Sequence, residues 1–253
     1  MTGDAHERRL CPAAQEHLLE GILARVVERC ATGRPVVVLD LDSTLIDNRP
    51  RTLAILRRLA RRWDGTRAHF AEGLARIEAN DVPFLVEALL GRLGDPPADL
   101  LDEVRSYWAC HFFSNRFLHL DRPYPGAVEF ASSCHSAGAT VVYFTARPLA
   151  RMGTGTVRSL CGLGFPYGIP RVELVMKQDV ALSDREFKLE CAPEIGQIGE
   201  VVAAFDNEPH HCNCLKAAFP EAVVCLVDTQ HHPSAPALDP HVAVVENLGM
   251  GRL

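Results

Sequence analysis

Lysine is scarce in this chain of 253 residues: Lys177, Lys188 and Lys216 are the only ones, and arginine supplies the rest of the 26 basic residues. With a formal net charge of −6, the balance argues against a general polyanion binder, which needs a basic patch. The densest arginines, within residues 51–63, are read as a solvated helix face, so a nucleic-acid partner is not expected. Long apolar runs are missing too. None approaches the roughly 18 residues of a membrane helix. The N-terminal MTGDAHERRL has a basic pair with no apolar stretch behind it, so neither a membrane partner nor a secretory signal is expected. Apolar residues are not in short supply, at 47%, which excludes disorder and leaves ample material for a core. The nine cysteines include several in apolar or helical contexts (Cys30, Cys110, Cys134, Cys161 and Cys225). Reduced thiols and a cytoplasmic location are expected.

Residues 12–31 carry leucine, isoleucine and valine at helical spacing and end at Gly33 and Pro35. The run PVVVLD (35–40) reads as a strand buried on both faces, as in a parallel sheet. From Asn48 to Pro123 no strand-like run occurs. Helical segments at 50–63, 66–80, 82–93 and 98–113 are divided by Asp64-Gly65, Asp81 to Pro83, and Gly94 to Pro97. Strand and helix then alternate, with strands at 139–145, 172–176, 201–206, 222–228 and a weaker one at 241–246. This pattern predicts an α/β fold with a doubly wound, mostly parallel sheet. Residues 1–47 and 123–253 form the α/β core, with helix 12–31 packed on it, and residues 48–122 form a helical insert. Segment 229–240 reads as a surface loop.

Four of the strands end on a carboxylate or hydroxyl: Asp40, Thr145, Asp206 and Asp228. In a parallel sheet these ends share one edge, where ligands bind, so Asp40, Thr145 and Asp206 are expected to converge. The loop after the first strand, DLDSTLID (40–47), sets Asp40 and Asp42 either side of one residue. Two such close carboxylates call for a positive charge between them, and an oxygen-liganded divalent cation supplies it.

The motifs VVVLDLDSTLID (36–47), YFTARP (143–148), Lys188 in REFKLE and AFDNEP (204–209) occur in this order over about 170 residues. In them the chain resembles the haloacid dehalogenase superfamily, specifically its phosphatase branch, with the helical insert where that family places a C1-type cap. The resemblance implies a Rossmann-like core and the following roles. Asp40 is the nucleophile that becomes an aspartyl phosphate. Asp42 is the general acid and then the base. Thr145 and Lys188 bind the phosphoryl group, with Thr44, Ala146 and Arg147 as further phosphate or substrate contacts. Asp40, the backbone carbonyl of Asp42, and Asp206 hold Mg²⁺, with Asn207 and Glu208 as candidates to reach the metal or its waters.

Dehalogenases of the superfamily lack the second aspartate, so Asp42 favours hydrolysis of a phosphate monoester of a small metabolite. A phosphotransferase, a nucleotidase or nucleic-acid end phosphatase, and a non-catalytic phospho-ligand binding protein are the alternatives. Lys177 competes with Lys188 for the lysine role, and Asn207 could instead cap the next helix. Asp47 and Arg49 are assigned to hinge packing. His210-His211-Cys212-Asn213-Cys214 has soft-metal residue types but no second pair to complete a zinc site. Phe84, Trp108, Phe112, Phe113 and Met176 are read as core residues.

Overall fold

A computed structural model of the chain describes residues 6–179 and 181–251. Helix α1 (Pro12–Cys30) leads into strand β1 (Pro35–Leu39) and the short β2 (Ile46–Asp47). Four helices follow: α2 (Arg49–Ala60), α3 (Ala68–Arg76), α4 (Val86–Leu93) and α5 (Ala98–Phe112). The chain returns through β3 (Arg122–Pro123) and then alternates: α6 (Ala127–Ser136), β4 (Thr140–Pro148), α7 (Leu149–Leu163), β5 (Val172–Lys177), α8 (Asp184–Ile198), β6 (Glu200–Asp206), α9 (Pro209–Ala218), β7 (Val223–Val227) and β8 (Ala243–Val245).

Six strands make one sheet in the order β5-β4-β1-β6-β7-β8, and every neighbouring pair is parallel. All five residues of β1 are buried, because helices cover both faces of the sheet. The pleat sends alternate side chains to opposite sides. Val37 and Leu39 join Leu19, Ile22 and Val26 of α1 and Phe130 and Cys134 of α6 on one face. Val36 and Val38 join Phe187 and Ile195 of α8 and Cys212 and Leu215 of α9 on the other. This is the doubly wound α/β arrangement that the strand pattern predicts.

Two consequences of this order position the site. Strands β4, β1 and β6 are adjacent, so the residues at their carboxyl ends lie side by side where the winding reverses. The four helices after β2 also pack on one another, with Leu56, Leu59, Phe70, Leu74, Leu89 and Leu100 fully or almost fully buried in a cluster of their own. The outgoing β2 and returning β3 pair antiparallel, Ile46 with Pro123 and Asp47 with Arg122, and clasp the base of this helical stretch.

Helix α6 begins at Gly126, whose φ of +75° is in the left-handed region. A Cβ there would lie 2.3 Å from the backbone of Leu248 and Gly249, so both conformation and space require glycine. No helix among the described residues is long and apolar enough to cross a membrane.

Candidate active site

The first loop turns sharply where β1 ends. Asp40 is still tied into the sheet, its N–H donating to the carbonyl of Phe205 at 3.0 Å. The amides of Thr44, Leu45 and Ile46 then converge on the carbonyl of Leu41 at 3.2, 3.0 and 2.9 Å. This tight turn places Ser43 at φ 60°, a conformation few residues other than glycine adopt. The outcome is that Asp40 and Asp42 line the same cavity.

Each carboxylate has its own charged partners. Lys188, on the second turn of α8, reaches the sheet edge with a fully buried side chain. Its Nζ donates to Asp40 Oδ1 at 2.7 Å and to Asp206 Oδ2 at 2.5 Å. A capping box between Ser183 and Glu186 fixes the start of that helix, with Glu186 N on Ser183 Oγ at 3.2 Å and Ser183 N on Glu186 Oε2 at 2.8 Å. Asp206 Oδ1 accepts from the Glu208 amide at 2.9 Å and lies 3.2 Å from His211 Nδ1. Thr145 and Ala146, at the end of β4, line the cavity beside this group.

Burial pushes the Asp40 carboxyl up to about 6, with Lys188 pulling it down and the charges of Asp206 and Asp42 pushing it further up. Burial would also raise Asp206, but Lys188 and His211 outweigh it and hold that carboxyl well below the usual range. Lys188 is the mirror case: burial would lower it, and Asp206 and Asp40 hold it above its ordinary value.

Asp42 belongs to a different cluster. Arg147 Nε donates to Asp42 Oδ2 at 2.6 Å and Arg147 Nη2 to Oδ1 at 2.9 Å. Arg51 Nη2 donates to Asp42 Oδ1 at 2.5 Å and Asn48 Nδ2 to the same oxygen at 3.2 Å. Behind the two arginines sits Asp121, 3.1 Å from Arg51 Nε and 3.1 Å from Arg147 Nη2. Burial would raise Asp42, but Arg147 and Arg51 override it and keep the carboxyl well below its ordinary range. Burial raises Asp121 to about 6 against the pull of Arg51 and Arg147. Arg51 and Asp121 were not singled out in the sequence. An arginine in an arginine-rich helix and an aspartate before a proline carry no distinguishing spacing.

Other expected positions sort as follows. Lys177 ends β5 and pairs with Asp184 at 2.5 Å, whereas Lys188 is the lysine that reaches Asp40 and Asp206. Thr44 is fully buried, and its hydroxyl lies 2.9 Å from Asp40 Oδ2 and 3.2 Å from Asn207 Oδ1. Its hydroxyl thus lies between Asp40 and Asn207. Asn207 does not cap α9. Its amide nitrogen donates to the carbonyl of Gln230, and its oxygen faces Thr44.

Glu208 lines the cavity and accepts from the His232 amide at 3.1 and 3.2 Å. Burial raises its carboxyl to about 7. Asp47 and Arg49 pair with each other at 2.8 Å. Asp228 turns to His6 and Arg9, at 3.1 and 3.8 Å, away from Asp40 and Asp206. The His210–Cys214 run begins α9, where successive side chains diverge. There Cys212 enters the core and His211 supports Asp206. Phe112 is a core residue, with Trp108 and Phe113 packed against it, and all three also face the cavity; Phe84 is corrected from core to exposed cavity wall. Met176 is buried against Leu118 and Met152.

The Asp40–Lys188–Asp206 cluster suits a hard divalent cation. Among the described residues no group of three or more His, Cys, Asp or Glu side chains is arranged to hold a metal, which argues against a closed zinc or calcium cage. Mg²⁺ keeps several waters and takes one or two carboxylates, and Asp40 and Asp206, both in contact with Lys188 Nζ, offer that number. Two buried carboxylates against one ammonium leave a negative excess, which adds to the upward push of burial on Asp40.

The sequence model of the haloacid dehalogenase-like hydrolases matches residues 35–209, from the start of β1 to the start of α9. No curated protein matches the chain. Among solved structures, one from Haemophilus somnus 129PT, described as a predicted phosphoglycolate phosphatase, superposes with a TM-score of 0.51 at 12% identity, over 84% of this chain and 94% of that one. One from Clostridium difficile, provisionally named a phosphatase, gives a TM-score of 0.50 at 13% identity over 85% and 94%. At these identities the likeness is one of fold. With the family model spanning the sheet edge that carries Asp40, Asp42, Thr145, Lys188 and Asp206, the chain belongs to the haloacid dehalogenase-like hydrolases.

Proposed function

We propose that the protein is a Mg²⁺-dependent phosphatase that hydrolyses a small phosphate monoester through an aspartyl phosphate on Asp40. The observation that carries this reading is Lys188 Nζ, 2.7 Å from Asp40 and 2.5 Å from Asp206, at the floor of a cavity of about 430 Å³. Asp40, Asp206 and the Asp42 carbonyl would hold Mg²⁺, whose charge would offset the repulsion between the anionic nucleophile and the dianionic phosphoryl group. In the first half-reaction an Asp40 oxygen attacks phosphorus and the P–O bond to the alcohol breaks. Asp42 gives its proton to the departing alkoxide. In the second, water attacks the aspartyl phosphate, Asp42 takes its proton, and inorganic phosphate leaves.

Asp42 is ionised while Arg147 and Arg51 clamp it. A phosphoryl group beside Lys188 offers Arg147 a competing acceptor. That weakens the clamp and allows Asp42 to take up the proton it later donates. Thr145 supplies a hydroxyl to the phosphoryl oxygens, and the helical insert, residues 48–122, acts as a cap that keeps bulk water out. A cytoplasmic location belongs to the same proposal. A phosphate-release screen of small phosphate esters tests it. Release that needs Mg²⁺ and disappears in Asp40→Asn supports the reading. Full turnover after exhaustive chelation, or in Asp40→Asn, contradicts it.

A further inference from the structure

The cavity has two chemically different ends. Its floor carries Lys188 and Arg147, while its wall, from α4, α5 and the segment before α4, carries Phe84, Val86, Trp108, Phe112 and Phe113. The polar groups on that wall are few, and most are engaged. Trp108 Nε1 donates to Thr52 Oγ1 at 3.3 Å. Gln230 Nε2 donates to the carbonyl of Val82 at 2.5 Å. The guanidinium of Arg105 is engaged by Glu87 and lies 3.6 Å from Asp102.

A sugar or polyol would therefore bring several hydroxyls to a surface that offers few partners, Gln230 Oε1 and the outer N–H groups of Arg105 among them, and each hydroxyl left unpaired costs free energy on burial. A second carboxylate or phosphate would find no unpaired cation at this end. Aromatic surface, in contrast, stands ready. Phe84 is 37% exposed and meets the ring of His232 edge-on at 5.8 Å. Trp108 and Phe113 meet at 6.0 Å. At about 430 Å³ the space suits a ligand of drug-like size, far larger than a two-carbon acid ester.

We propose that the substrate is the monophosphate ester of an apolar, ring-bearing alcohol, whose ring lies against Phe84, Trp108 and Phe113 while its phosphate meets Lys188. This rests on the phosphatase reading above and adds the class of leaving group to it. The test compares 2-phenylethyl phosphate with glycerol 3-phosphate, two primary alkyl esters with similar leaving-group chemistry, in wild type and Phe84→Ser. Phe84 is partly exposed, so its replacement leaves folding intact.

The expected result is a preference of about tenfold or more in kcat/KM for the phenylethyl ester, the scale on which apolar pockets discriminate, carried mainly by KM. Phe84→Ser should lower that preference several-fold, through a higher KM for the phenylethyl ester. Equal or better hydrolysis of glycerol 3-phosphate, or a preference that Phe84→Ser leaves intact, overturns the inference. If neither ester is cleaved but sugar phosphates or phosphoglycolate are, the substrate class is wrong and the phosphatase reading stands. If no phosphate ester of any class is cleaved, the phosphatase reading falls and takes this inference with it.

Discussion

Asp40 and Asp42 are two residues apart on one loop, yet they belong to clusters with opposite electrostatic character. Around Asp40, two buried carboxylates face one ammonium. Around Asp42, two carboxylates face two guanidinium groups, Asp42 and Asp121 against Arg51 and Arg147. The first cluster has a negative excess and a raised carboxyl, so it gains from an added cation. The second is balanced, and it ties the first loop to α2 and to the strand that returns from the insert. The same residue type is thus left with a raised carboxyl in one place and held ionised by a pair of arginines in the other.

The largest effect should come from the reactive cluster. Asp40→Asn is expected to abolish phosphate release with the fold intact, judged by an unchanged circular dichroism spectrum. Asp42→Asn should slow kcat by about 10²–10⁴, the usual worth of general acid–base catalysis. Glu208→Gln sharpens this, because Glu208 lines the same cavity with a carboxyl near 7. The account expects a smaller loss there than in Asp42→Asn, and the reverse order would move the acid role to Glu208.

Stability separates the clusters next. Arg51→Met leaves Asp121 short of a partner in a buried site, so urea unfolding should show a loss of about 3–5 kcal/mol. In the metal-free protein, Asp40→Asn should act in the other direction. The folded carboxyl is raised from 3.8 to about 6, so the wild type loses stability as pH rises from about 4 through about 6. At pH 8 the linkage amounts to roughly 3 kcal/mol. Thermal unfolding should then find the variant more stable than wild type at pH 8 and no more stable at pH 4. Saturating Mg²⁺ should stabilise the wild type and erase that advantage. The smallest effect belongs to Thr44→Val, which removes one hydroxyl between Asp40 and Asn207. A loss of about tenfold in kcat with KM nearly unchanged is expected, in line with one hydrogen bond to a charged group.

The same contrast marks how far the sequence could be read. Sheet-edge chemistry was legible because strand ends are periodic features: β1, β4 and β6 are apolar runs that stop at Asp40, at Thr145 with three residues of strand beyond it, and at Asp206. A parallel sheet brings them together whatever separates them in the chain. Lys188 was legible through its motif, and the structure separates it from Lys177 by burial. The clamp was not legible. Arg51 lies in α2 and Asp121 just before β3, and only the antiparallel pairing of β2 with β3 sets them beside Asp42. The exposure of Phe84 was not legible for a related reason. It has the spacing of a core position, and which apolar side chain faces a cavity depends on how the insert seats on the sheet. His211 escaped because its neighbours His210 and Cys212 suggested a metal cluster that the helix of α9 disperses.

The central claim is that Asp40 attacks phosphorus. The direct measurement is to quench turnover of a cleaved phosphate ester with acid, trap acyl phosphates with borohydride, and locate the modified residue by peptide mass spectrometry. The account predicts reduction at Asp40, dependent on Mg²⁺ and on substrate. Rapid phosphate release with Asp40 unmodified and the label on another side chain would contradict it.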